Sequence, residues 1–234
     1  MRALILNSGM GSRMGEETET HPKCMTRLKG EETILSRQLN ILQANDIKDV
    51  VITTGYFKEV LEDYCDSLQL DLKITFVNNI DFQSTNYIYS IYLAKEFLID
   101  DLILMHGDLV YEEEILREMI QRKDSLMAVS STIALPEKDF KAVIEKGKIK
   151  KVGIEFFHNV YAAQPLYVLQ KEDWIFWLNE IDSFCKNGDT KCYAENALNE
   201  ISGKMILRPF DVKNRLCSEI DTMDDWNKII TQLN

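Results

Sequence analysis

The chain is poor in residues that break or cross-link a polypeptide. It has 234 residues with 4 prolines, 10 glycines and five scattered cysteines (Cys24, Cys65, Cys185, Cys192, Cys217), none in a Cys-x-x-Cys pair. So little Pro and Gly excludes a collagen-like or disordered composition. Odd, dispersed cysteines argue against a disulfide framework or zinc site and predict reduced thiols in a cytoplasm. No apolar run approaches the roughly 20 residues of a membrane-spanning helix. The start turns polar at Asn7, too soon for the apolar core of a signal peptide. Positive charge is also short: 27 basic against 38 acidic residues give a net charge of -11. A nucleic acid would be repelled by most of this surface, while a small anion can still enter a local basic pocket. The expectation is a soluble, cytoplasmic protein with neither a nucleic-acid nor a membrane partner, its oligomeric state left open.

What is present is an alternation of apolar, β-rich runs with helical periodicity. Strands are expected over Ala3–Asn7, Val50–Thr54, Lys73–Val77, Leu102–His106 and Met127–Ile133. Helices are expected over 33–45, with Leu35, Leu39 and Leu42 on one face, and over 57–68, with Leu61, Tyr64 and Leu68 together. This alternation implies an α/β fold: a Rossmann-like, mixed, mainly parallel sheet flanked by helices. The pattern changes after about Pro136. A hairpin is expected around Lys146-Gly147, with strands over Gln164–Leu169 and Met205–Phe210. A helix carries Trp174, Trp177, Leu178, Ile181 and Phe184, and a closing helix carries Trp226, Ile229, Ile230 and Leu233. With no linker or repeat, 1–234 reads as one domain: a nucleotide-binding core over 1–135 and acceptor-binding and closing elements over 136–234.

The first strand runs into "LNSGMGSRM", and "HPKCM" follows. Gly9-x-Gly11 after a strand suits backbone N–H groups approaching a phosphate at a helix start. A dinucleotide fingerprint fails, because its third glycine is Met14 and the second strand ends Thr53-Thr54-Gly55 without a ribose-binding acid. No Gly-Lys-Ser/Thr follows, so a Walker loop fails too. Arg13 and Lys23 add cations to a loop that already offers amides, which favours a triphosphate. Such a ligand arrives with Mg²⁺, a hard ion that takes one or two carboxylates. Asp108 in "LMHGDLV" lies past the end of an apolar strand, the edge where α/β sheets bind ligands, and Asp221 in "SEIDTMDDW" precedes the last helix. Either could instead cap a helix. His106, inside an apolar strand, reads as a core histidine, and Glu112-Glu113-Glu114 as an acidic first helical turn.

The two loop motifs resemble the signature of nucleotidyltransferases that activate sugar phosphates, phosphocholine and phosphonates. "TNYIYSIYLA" is similar to the helix start of the phosphocholine and aminoethylphosphonate cytidylyltransferases. "YAAQPLY" and "CYAENALNEI" look most like cytidylyltransferases that use phosphoglutamine in capsular phosphoramidate synthesis. The resemblance implies transfer of CMP from CTP to a small phosphorylated acceptor. Arg13 would hold the leaving phosphates, Lys23 would bridge the α-phosphate and the incoming phosphate, and Asp108 and Asp221 would bind Mg²⁺. The nucleotide-binding set is then Asn7, Ser8, Gly9, Gly11 and Ser12 in the loop, Gly55 and Tyr56 after the second strand, Thr85 and Asn86 at a helix start, and Gly107. Thr85 is read equally as a cap or as a contact to the base. Gln164, Tyr193, Glu195 and Asn196 form the acceptor set, whose acidic groups suit an ammonium. A choline cage could draw on Phe156, Phe157, Trp174 and Trp177, although helical spacing places the two tryptophans in the core. Other readings are a different acceptor, a non-catalytic nucleotide sensor, or an NAD-dependent oxidoreductase.

Overall fold

A computed structural model describes all residues except Met10, Pro136 and Asn234, and except the side chains of Ser12, Glu16 and Glu17. Strand β1 (Arg2–Leu6) leads through short 3-10 turns to a ribbon, β2 (Arg27–Lys29) and β3 (Glu32–Thr33). Helix α1 (Ile34–Ala44), β4 (Asp49–Thr54), α2 (Lys58–Ser67), β5 (Lys73–Asn78) and α3 (Tyr87–Ala94) follow. Next come β6 (Leu102–His106), β7 (Leu109–Tyr111), α4 (Glu113–Ile120) and β8 (Ser125–Ser130). The later part contains β9 (Lys141–Glu145), β10 (Lys148–Gly153), β11 (Val160–Leu169), α5 (Lys171–Lys186) and α6 (Ala194–Glu200). β12 (Leu207–Asp211), β13 (Cys217–Glu219) and α7 (Met223–Gln232) close the chain.

The main sheet has nine strands, ordered β10-β9-β11-β6-β1-β4-β5, with β8 on β11 and β12 on β8. Its β6-β1-β4-β5 part is parallel, whereas β11 runs antiparallel to β6, β8 and β9. This is the expected Rossmann-like mixed sheet with flanking helices. Burial of both faces under helices explains why the parallel strands read as continuous apolar runs. Leu4, Val51 and Leu104 face α3 and α5, while Ala3, Ile5, Ile52 and Met105 face α1, α2 and α4.

Two strands differ from the expectation. β8 stops at Ser130 rather than Ile133, because Ser130 Oγ accepts the N–H groups of Thr132 and Ile133 and turns the chain. β11 starts earlier, at Val160, and passes through Gln164-Pro165, where its register against β8 shifts between Ala163 and Tyr167. A residue without an N–H fits such an irregularity. The β7–β13 ribbon was not expected; it sets Glu219 opposite Leu109.

Trp174 and Trp177 are fully buried, with indole N–H groups donating to Leu98 O and Ala194 O at 2.9 and 2.8 Å. Trp177 thereby ties α5 to the start of α6. Trp177→Ala should destabilise the chain by about 3–5 kcal/mol, measured by urea unfolding; a loss under 1 kcal/mol would show that this packing matters little.

Candidate active site

The signature loop follows β1 and lies against Lys23. Gly11 has φ +65°, and a Cβ there would come within 2.9 Å of Lys23 Cβ. A side chain at this position would therefore meet both backbone strain and a clash. Lys23 Nζ donates to Asp108 Oδ2 and Asp221 Oδ1, each at 2.6 Å, and Arg13 pairs with the same Asp221 oxygen at 3.1 Å. Burial opposes the charge on Lys23, but the two carboxylates outweigh it and hold its pKa above the ordinary lysine value. Burial likewise opposes the charge on Asp108, and Lys23 and His106 outweigh it, so this carboxyl sits below its ordinary value.

Neither Asp caps a helix. Asp108 lies in the turn from β6 to β7, and α7 is capped by Thr222 in a reciprocal box with Asp225. Asp108 O accepts from Ile220 N at 3.0 Å, which brings the two aspartate segments together. Gly107 makes this turn possible: a Cβ there would fall 1.6 Å from Asn7 Oδ1.

Two cavities meet at this cluster. One, of about 260 Å³, is lined by Asn7, Gly9, Gly11, Arg13, Lys23, Gly107 and Asp108 among others. The second, of about 400 Å³, shares Gly9, Arg13 and Asp108, and continues past Ser8, Thr85 and Asn86 to Gln164, Tyr193 and Glu195. Asp221 lines it as well. Three expected residues lie outside both linings. Gly55 packs beneath the Ser8 carbonyl, Tyr56 is 68% exposed, and Asn196 accepts the Tyr193 N–H as part of the α6 cap. Asn86, rather than Thr85, caps α3. The Ser12 side chain lies outside the described residues.

The structure also adds residues that the sequence reading set aside or passed over. Asn79, buried between Thr85 and Ser90, donates to both hydroxyls at 3.0 Å, and Ser90 reaches Ser8 Oγ at 2.9 Å. His106, read as core, lines the larger cavity: its Nδ1 lies 2.9 Å from Glu219 Oε1, and its ring packs edge-on against Tyr87 at 4.9 Å. Glu195 is 2% exposed and accepts hydroxyl donors from Tyr87 and Tyr167. A simple signal was available. His106 and Glu219 each precede an expected aspartate by two residues on a strand end, and positions i and i+2 share a face.

The sequence profile of the MobA-like NTP transferase domain matches residues 3–175. The chain belongs to the MobA-like NTP transferase domain family. This MobA-like chain is 32% identical over 131 residues to a CMP-5'-(3-aminopropyl)phosphonate synthase from Streptomyces rubellomurinus, covering 56% of the chain and 21% of that protein. It is 30% identical over 135 residues to a CTP:phosphoglutamine cytidylyltransferase from Campylobacter jejuni, covering 55% of the chain and 52% of that protein. The chain thus spans about half or less of these relatives' lengths. Its fold matches the CTP:phosphocholine cytidylyltransferase from Streptococcus pneumoniae with a TM-score of 0.80 at 18% identity, covering 100% of this chain and 99% of the other. Among the described residues, no helix is long and apolar enough to cross a membrane.

The MobA-like site makes a testable electrostatic statement through His106. Burial lowers its pKa, but the hydrogen bond and charge of Glu219, with Asp108 behind them, outweigh this and raise it to about 9. Burial and the charge of Asp108 push Glu219 up to about 7 against the pull of His106. A raised histidine pKa stabilises the fold fully below about 6.5, and that contribution is lost as pH rises through about 9. The melting temperature should therefore fall across this window, and His106→Gln should flatten the fall. Parallel pH profiles for the two proteins would contradict the ion pair.

Proposed function

We propose that the chain transfers CMP from CTP to the phosphate of a small acceptor bearing an ammonium, L-glutamine phosphate fitting best, and releases pyrophosphate with Mg²⁺ bound. The observation that carries this is the charge of the larger cavity. Glu195 is buried, and its bonding partners there are two tyrosine hydroxyls. Glu219 has His106 as its ion-pair partner and lines the same cavity. Buried carboxylates call for cations, and an acceptor ammonium supplies one. The phosphoglutamine and aminopropylphosphonate relatives are named for acceptors that carry nitrogen. A role in capsule synthesis follows only for phosphoglutamine.

The site's donor set fits Mg²⁺. Asp108 and Asp221 converge on one ammonium, and Asp108 Oδ1 is a buried oxygen with no hydrogen-bond partner among the described residues. Two oxygen donors beside a phosphate pocket suit a hard divalent ion. When bound there, Mg²⁺ would neutralise phosphate charge and help fix the α-phosphate geometry.

The acceptor phosphate is already anionic at neutral pH, so its oxygen attacks the α-phosphorus without a general base. Catalysis then rests on alignment and charge neutralisation. Arg13, 71% exposed on its loop, is placed to meet the leaving phosphates. Lys23, kept protonated by its two carboxylates, supports the α-phosphate and the incoming phosphate. Glu195 and Gln164 orient the acceptor's nitrogen end.

A quaternary ammonium is the second reading. Trp174 and Trp177 are committed to the core and Phe157 packs under Lys141, so these do not form a cage. The rings of Tyr87, Tyr193 and Phe140 do line the cavity, however, and favour phosphocholine as the alternative.

Pyrophosphate release from CTP and Mg²⁺, measured with phosphoglutamine, phosphocholine, 2-aminoethylphosphonate and a sugar 1-phosphate, decides among acceptors. Success with phosphoglutamine supports the proposal, and success with the sugar phosphate alone overturns it. Lys23→Ala should lower kcat by a factor of about 100 or more, as loss of a charge-stabilising donor does, while keeping a cooperative melt. Near wild-type turnover in that variant would remove Lys23 from the reaction.

A further inference from the structure

Gln38 is a buried amide on α1, 1% exposed, and the chemistry above does not use it. Its Nε2 donates to His106 O at 2.9 Å and Leu109 O at 2.8 Å. Both partners are acceptors, so the amide nitrogen, not the oxygen, must face them. These two carbonyls bracket Gly107-Asp108, the turn from β6 to β7. Other sides of the turn are held by main chain: Gly107 N donates to Leu6 O and Ile220 N to Asp108 O, both at 3.0 Å. Along α1, the amide of Gln38 closes the set.

Gln38 Oε1, meanwhile, is buried with no partner among the described residues. An unpaired buried oxygen is costly, and an apolar residue of similar size would avoid the cost. Keeping the amide makes sense if its two N–H groups do something that packing cannot. We infer that Gln38 is a positioning residue: its amide sets the β6–β7 turn so that the Asp108 carboxylate is aimed at the metal and phosphate end of the site. This rests on the metal-dependent reading proposed above. The effect is that of an outer partner which orients a ligand, and losing such partners costs about 10- to 100-fold in metal affinity.

Gln38→Leu and Gln38→Met keep the bulk and remove both donors. Mn²⁺ affinity of the full chain, read by electron paramagnetic resonance with and without CTP, should fall about 10- to 100-fold. In turnover, the Mg²⁺ concentration for half-maximal rate should rise while kcat at saturating Mg²⁺ recovers. Wild-type Mn²⁺ affinity in either variant, with a lowered melting temperature alone, would mean a merely structural role and overturn the inference. Without any variant, Mg²⁺ binding to the wild type should shift the Gln38 side-chain amide resonances, and an unmoved signal also overturns it. Asp108→Asn separates the two levels. If it binds Mn²⁺ like the wild type, the metal assignment fails and the Gln38 role goes with it. If Asp108→Asn loses Mn²⁺ and the Gln38 variants do not, the metal assignment stands and Gln38 alone is wrong.

Discussion

Lys23 holds together three parts of the chain that are far apart in sequence. Its ammonium meets Asp108, 85 residues away, and Asp221, 198 residues away, each at 2.6 Å. Two partly buried carboxylates aimed at one point repel each other unless a cation lies between them. Much of the local architecture serves that meeting. Gly11 lets the signature loop lie directly on Lys23, Gly107 lets the β6–β7 turn approach Asn7, and the β7–β13 ribbon carries Asp221 to Asp108. The cation that stabilises this cluster is the one proposed to support phosphate during reaction.

The larger cavity also holds Glu195 and Glu219, the latter within 4.8 Å of His106 and Asp108. Glu219 pairs with His106, whereas Glu195 relies on two neutral hydroxyls. Burial and Glu195 raise the pKa values of Tyr87 and Tyr167 well above the ordinary tyrosine value, so both remain donors. Arg13 and Lys23, proposed to bind phosphate, and Glu195, proposed to receive the ammonium, would together suit a short zwitterionic acceptor. The fold alone does not carry this distinction, since a UDP-glucose pyrophosphorylase complexed with UDP-glucose shares the architecture.

The parallel half of the sheet was legible to within a residue or two, because buried parallel strands are apolar throughout and their edges are polar. Asp108 was legible for the same reason, as the first acid past an apolar strand. The β7–β13 ribbon was not, since three-residue strands carry no periodicity and pair only through tertiary contact. His106 and Glu219 were lost with it: a lone histidine in an apolar strand looks like core, and Glu219 stood in the shadow of Asp221. Thr85 and Asn86 show a different limit. Either side chain can cap a helix, and only the backbone of α3 decides that Asn86 does so while Thr85 faces Asn79.

An ammonium on the acceptor is proposed to pair with the buried Glu195 of the larger cavity. Phosphorus NMR of CTP and Mg²⁺ incubated with 2-aminoethylphosphonate or with ethylphosphonate, which differ only in the amine, tests it most directly. The expected products are a CMP–phosphonate anhydride and free pyrophosphate with the amine-bearing acceptor, and little or none with the other. Equal product from both would contradict it.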